Sequence, residues 1–68
     1  MDKYKLDYEM KSRNVSVDEL CKACGISKAA YYRKRNGKTE FTRKEIQAIV
    51  NYLHLSSPVE IFFSDEVS

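Results

Sequence analysis

No apolar run in this sequence approaches the ~20 residues that a membrane span requires, and no charged-then-apolar leader opens it. Membrane insertion and secretion are not expected. Cysteine is scarce: Cys21 and Cys24 are the only two, too few and too close together to staple the chain, so a reducing, cytoplasmic setting is expected. A structural zinc site takes four ligands, and beyond these two thiols only the distant His54 remains. Nucleophile, base and orienting group do not occur as a set, and no glycine-rich loop is placed to cradle a phosphate. An enzyme, a metal centre, a cofactor and a small-molecule ligand are therefore all unexpected. The alternation of apolar and polar residues that marks strands is missing as well.

What is present suits one small helical domain spanning residues 1–68. Hydrophobic residues make up 43% and charged residues 32%, which argues for a folded, water-soluble chain over a disordered one. The net charge of +2 conceals an asymmetry. Lys28, Arg33, Lys34, Arg35, Lys38, Arg43 and Lys44 crowd one central segment, opposed there only by Glu40. Beyond Lys44 come Glu45, Glu60, Asp65 and Glu66 without a Lys or Arg, ending in a short acidic tail at 64–68. Tyr31, Tyr32 and Phe41 are interleaved with the cations. A solvated helix face could carry such a run, but the pattern also fits a surface that meets phosphates.

Helix start signals recur along the chain. Ser16-Val17-Asp18-Glu19 reads as a capping box, with Val15 and Leu20 as its hydrophobic staple. Thr42-Arg43-Lys44-Glu45 repeats it with Phe41 and Ile46, and Ser57-Pro58-Val59-Glu60 repeats it again with proline at the first helical position. Ser27 reads as a plain cap. Asn14, Gly25 and Asn36-Gly37 follow helical stretches and suit the left-handed residue that stops a helix. Five helices are predicted, at roughly 2–13, 17–24, 28–36, 43–54 and 58–63. Ile46, Ile49, Val50 and Leu53 form a core-facing stripe on the fourth, and Leu6 with Met10 matches it on the first. Val15, Leu20, Cys24, Ile26 and Tyr31 fill the middle. The fold class is all-α.

Residues 16–37 hold the most specific pattern: a helix of about eight residues, a glycine turn, and a second helix set at a steep angle so that it can enter a major groove. Small residues near the crossing (Cys21, Ala23, Ala30) would let the two helices approach closely. Val15 through Cys21, Gly25-Ile26-Ser27 and Asn36-Gly37-Lys38 together resemble the phage repressor and Cro-type helix-turn-helix family. The stretch from Tyr31 to Thr42, with Glu45-Ile46 and Ile61-Phe62-Phe63, is similar to small prophage-encoded regulators within it. The resemblance runs over about residues 4–63. It implies a five-helix, lambda repressor-like domain that binds an operator in double-stranded DNA as a two-fold dimer. It also implies base reading by Lys28, Ala29, Tyr32 and Arg33, and phosphate contacts by Ser16, Val17, Ser27, Asn36, Lys38, Thr39 and Arg43. Two positions depart from the family's pattern. Val17 stands where relatives often carry a phosphate-clamping glutamine, and Ala29 where many have a polar base reader.

Other residues have plainer uses. Cys21 and Cys24 suit core packing better than redox sensing, and His54 near a helix end suits the helix dipole. Tyr31 falls inward and Tyr32 outward. Tyr4 and Tyr8 make a stripe on the first helix, either surface filler or a partner contact. Val59, Phe62 and Phe63 exceed what one face of a short helix can hide, which suggests a dimer interface. The rival to a Cro- or repressor-type regulator is an antitoxin or anti-repressor acting through this aromatic, acidic end. The short chain leaves no room for a sensing domain, which tilts the expectation toward the Cro type.

Overall fold

Cap residues set where the backbone turns helical. The computed structural model describes residues Met1–Phe63, so the acidic tail at 64–68 lies outside the described residues. Five helices run in order: α1 (Lys3–Ser12), α2 (Val17–Cys24), α3 (Lys28–Arg35), α4 (Arg43–Leu53) and α5 (Pro58–Phe62), with no strand among the described residues. Asp2 opens α1 by accepting from the Lys5 amide at 3.0 Å. At α2 the Ser16 hydroxyl accepts from the Glu19 amide at 3.1 Å, while the Glu19 carboxylate accepts from the Ser16 amide at 2.8 Å. Thr42 and Glu45 form the same reciprocal pair on α4, at 3.2 and 2.9 Å. Ser27 caps α3 through the Ala30 amide at 3.1 Å.

The third expected box does not form. Ser57 sits at φ −134°, ψ 68° and makes no side-chain cap, whereas Ser16, Ser27 and Thr42 are extended at ψ of 162°, 162° and 165°. Its partner is also engaged elsewhere, since the Glu60 carboxylate pairs with Lys5 of α1 at 2.7 Å. Pro58 alone marks the start of α5.

Helix ends follow the left-handed residues Asn14 (φ 58°), Gly25 (φ 73°) and Gly37 (φ 88°). His54 belongs with them: at φ 55° it is the left-handed residue that closes α4, a backbone role in addition to the helix-end position expected for it. A Cβ added at Gly25 would meet nothing within 4 Å, so the left-handed backbone itself sets the cost of a side chain there. Gly25→Ala is expected to lower stability by ~1 kcal/mol. For a domain of this size that is a fall of roughly 4–8 °C in the thermal midpoint, readable by circular dichroism. An unchanged midpoint would show that the turn does not depend on glycine.

One core joins all five helices: Leu6 and Met10 of α1, Leu20 and Cys21 of α2, Tyr31 of α3, Ile49 and Leu53 of α4, and Ile61 of α5, with Phe41 entering from the loop between α3 and α4. Of the stripe expected on α4, Ile49 and Leu53 are buried while Ile46 and Val50 are half-buried at its edges. Those two line a shallow groove with Phe41, Pro58 and Phe63. Phe62 packs edge-on against Phe41, with ring centroids 5.9 Å apart, and Phe41 does the same against Tyr31. The ends meet where the Asp2 amide donates to the Ile61 carbonyl at 2.7 Å, beside the Lys5–Glu60 pair.

Candidate nucleic-acid interface

The turn between α2 and α3 is built from local hydrogen bonds. Amides of Gly25 and Ile26 both donate to the Cys21 carbonyl, at 2.8 and 3.1 Å, which folds the chain back before Ser27 starts α3. Buried Cys21 lies at this crossing, its Sγ 3.9 Å from the Ser27 carbonyl. Ala30 is half-buried, but Ala23 is exposed and takes no part in the close approach expected of it. The reason is rotational: Ala23 lies two residues on from Cys21, about 200° around a helix of 3.6 residues per turn.

Burial splits α3 into two faces. Tyr31 is fully buried. Lys28, Ala29, Tyr32 and Arg33 are all exposed, so the four residues assigned to base reading share the outward side. The Tyr32 ring meets the Tyr31 ring edge-on at 5.4 Å, so a residue on the outer face is braced by one in the core even though the two side chains diverge. Arg33 pairs with no carboxylate among the described residues. Lys28 pairs with Asp18 of α2 at 3.1 Å, and that carboxylate raises the Lys28 ammonium above its ordinary pKa.

Two of the seven central cations serve the fold. Lys34 turns toward α4 and pairs with Glu45 at 2.9 Å. Arg35 reaches α1, where its Nε donates to an Asp7 carboxylate oxygen at 3.0 Å and a second nitrogen donates to the other oxygen. The hydrogen bond to Asp7 holds Arg35 above its usual pKa. Burial works to raise the Glu45 carboxyl, but the Thr42 amide and the Lys34 ammonium outweigh it and hold Glu45 below the usual carboxylate range. Both arrangements fix the far side of α3. Nothing local in the sequence marks them, because Asp7 and Glu45 lie 28 and 11 residues from their partners.

The residues assigned to phosphates fall at two places beside the outward face of α3. At the start of α2, Ser16 is exposed, Val17 packs against the core, and the Ser16 hydroxyl oxygen and amide are both occupied by the capping box. This leaves the first-turn amides of Val17 and Asp18, which no helix satisfies internally. Ser27 is exposed, with its hydroxyl engaged by the Ala30 amide. After α3, Asn36, Lys38, Thr39 and Arg43 are all exposed. The loop is held against α3 by the amides of Lys38 and Thr39, which donate to the Arg33 carbonyl at 2.9 and 3.4 Å. The Asn36 side-chain oxygen accepts from Arg35 at 3.0 Å.

A family model for the Cro/C1-type helix-turn-helix DNA-binding domain matches residues 5–62. The chain belongs to this family. The match takes in the helix-turn-helix, the loop after α3 and α5, and it makes the protein a DNA-binding regulator. No curated protein and no solved structure matches the chain. Within this Cro/C1-type domain both cysteines are free thiols. Burial, helped by Glu45 and Cys21, pushes the Cys24 thiol up to about 11, and burial raises Cys21 as well. Thiols held protonated in this way are poor nucleophiles and poor metal ligands. No cluster of three or more metal-ligating side chains occurs among the described residues, and no helix there is long and apolar enough to cross a membrane.

Proposed function

We propose that the protein is a sequence-specific transcriptional regulator of the Cro or repressor type, of phage or prophage kind, that binds an operator with α3 in the major groove. The observation that carries this reading is the outward face of α3 in a Cro/C1-type domain, where Lys28, Ala29, Tyr32 and Arg33 stand exposed together while Tyr31, Lys34 and Arg35 are turned to other tasks. Arg33 is the residue best suited to grip a guanine edge with two parallel hydrogen bonds. Lys28 offers a single charge to guanine, Ala29 a methyl for thymine, and Tyr32 a hydroxyl at the groove wall.

Phosphates on one side of the groove are met by the start of α2 (the Ser16 hydroxyl proton, which its cap leaves free to donate, and the backbone of Val17) together with the Ser27 hydroxyl proton. On the other side they are met by Asn36, Lys38, Thr39 and Arg43. These contacts carry affinity and register, and the base contacts carry specificity. Val59 and Phe63 are 63% and 64% exposed and stand with the outer edge of Phe62 on α5, a surface that suits a second copy of the chain. A two-fold dimer of this kind binds a pseudo-palindromic operator with half-sites about one helical turn apart. The same exposed pair is what favours the rival reading, in which α5 docks an unlike protein as in an antitoxin or anti-repressor.

Selection of binding sites from a random duplex library, followed by fluorescence anisotropy on the selected site and a scrambled control across a salt series, tests this directly. The expected result is a preference of ~10³ or more for the selected site, with two chains bound per duplex. Equal weak binding to both duplexes would overturn the operator reading. One chain per duplex would overturn the dimer and move α5 to an unlike partner.

A further inference from the structure

Against the exposed cations on the outward face of α3 stands a carboxylate of α2. Asp18 is the second residue of α2 and Lys28 the first of α3, and their side chains meet at 3.1 Å across the helix-turn-helix while remaining 72% and 57% exposed. An ion pair this open to water adds little to stability, typically ~0–1 kcal/mol. The turn is already secured by the Gly25 and Ile26 amides and by the Ser27 cap, so the fold does not need the pair. Its cost falls on DNA binding. A carboxylate beside the groove repels phosphates, and it partly neutralises one of the few outward cations, since Lys34 and Arg35 are engaged within the fold.

Beyond its place in the first turn of α2, where a carboxylate favours the helix dipole, a residue that lowers attraction to every duplex alike has a use in recognition. We propose that Asp18 is a specificity-determining residue: it tethers Lys28 along the seam between α2 and α3, keeps that ammonium for a base edge, and withholds it from phosphates. Without the tether, Lys28 on its four-carbon stem reaches the nearest phosphate of any sequence, and general affinity rises at the expense of discrimination. Asp18 thus positions the base reader and contacts no base itself. This inference rests on the operator-reading role proposed above for α3.

The test compares the wild-type chain with Asp18→Asn and Asp18→Glu on the selected duplex and the scrambled duplex over a salt series. Asp18→Asn is expected to bind the scrambled duplex roughly three- to tenfold more tightly. Its plot of log affinity against log salt should steepen by about one, the mark of one added phosphate contact. Preference for the selected site should fall roughly two- to fivefold, the most that an exposed pair of this kind can hold back, and Asp18→Glu should restore it. Adding Lys28→Ala to Asp18→Asn should remove the extra slope, which a merely structural effect of the substitution would leave in place. An Asp18→Asn chain with wild-type slope and wild-type preference overturns the inference while leaving the operator reading intact. A wild-type chain with no preference between the duplexes overturns both.

Discussion

Tyr31→Ala is expected to leave the chain unfolded at 25 °C. Tyr31 is fully buried and links the core to the outer face of α3: its hydroxyl donates to Met10 Sδ of α1 at 3.3 Å, its ring meets Phe41 edge-on at 5.9 Å, and the exposed Tyr32 lies against it at 5.4 Å. Truncating a large buried aromatic costs ~3–5 kcal/mol through lost burial and the cavity left behind. A domain below ~70–80 residues rarely holds more than ~3–5 kcal/mol in total, so the two quantities meet. Far-ultraviolet circular dichroism should show helix lost in the alanine variant, whereas Tyr31→Phe, which gives up only a weak bond to a thioether, should stay folded and melt cooperatively. An alanine variant melting close to the wild-type midpoint would show that the neighbouring rings close over the gap.

The second large effect concerns recognition. Arg33→Ala is expected to reduce discrimination between the selected and scrambled duplexes by ~1–3 kcal/mol, roughly five- to 150-fold, with a smaller change in binding to the scrambled duplex. The backbone around it should hold, because alanine is the best helix former and the Arg33 carbonyl that secures the next loop is untouched. Equal weakening on both duplexes, with a shallower salt slope, would make Arg33 a phosphate contact instead. Because Arg33 pairs with no carboxylate among the described residues while Lys28 is tethered by Asp18, the two cations of the outer face should respond differently to removal. The arginine should report mainly on sequence. The lysine should report on sequence only while its tether is intact.

How far the fold was legible from residues alone can be traced to the range of the interactions involved. Ser16 with Glu19 and Thr42 with Glu45 span three residues and close within one helical turn, so a local pattern was enough to place both starts. Ser57 with Glu60 has the same pattern, yet Glu60 is drawn away by Lys5, 55 residues distant in the sequence, and the box is lost. The left-handed backbone at His54 was not legible, because a left-handed histidine carries no signal as clear as that of glycine. On the candidate interface, helical periodicity separates Tyr31 from Tyr32 and brings Lys28, Ala29, Tyr32 and Arg33 to one side. It could not say which cations of α3 would be diverted. A charge run counted along the chain treats Lys34 and Arg35 as equals of Arg33, and only the placement of Asp7 on α1 and Glu45 on α4 tells them apart.

The meeting of Asp2 with Ile61 and of Lys5 with Glu60 has a consequence for the order in which the molecule assembles. Contacts around the helix-turn-helix close loops of 21 residues between α1 and α3 and between α2 and α4, while the seam between α1 and α5 must close one of 55. Loop closure grows costlier with length, and few interactions reward this last closure until the rest of the core exists. The α2–α3 unit is therefore expected to condense early, with α5 arriving last on a nearly finished nucleus. A nascent chain would then present the outward face of α3, proposed above to read a groove, before α5 is in place, so that the pairing of two chains proposed for α5 would come late in the life of each molecule.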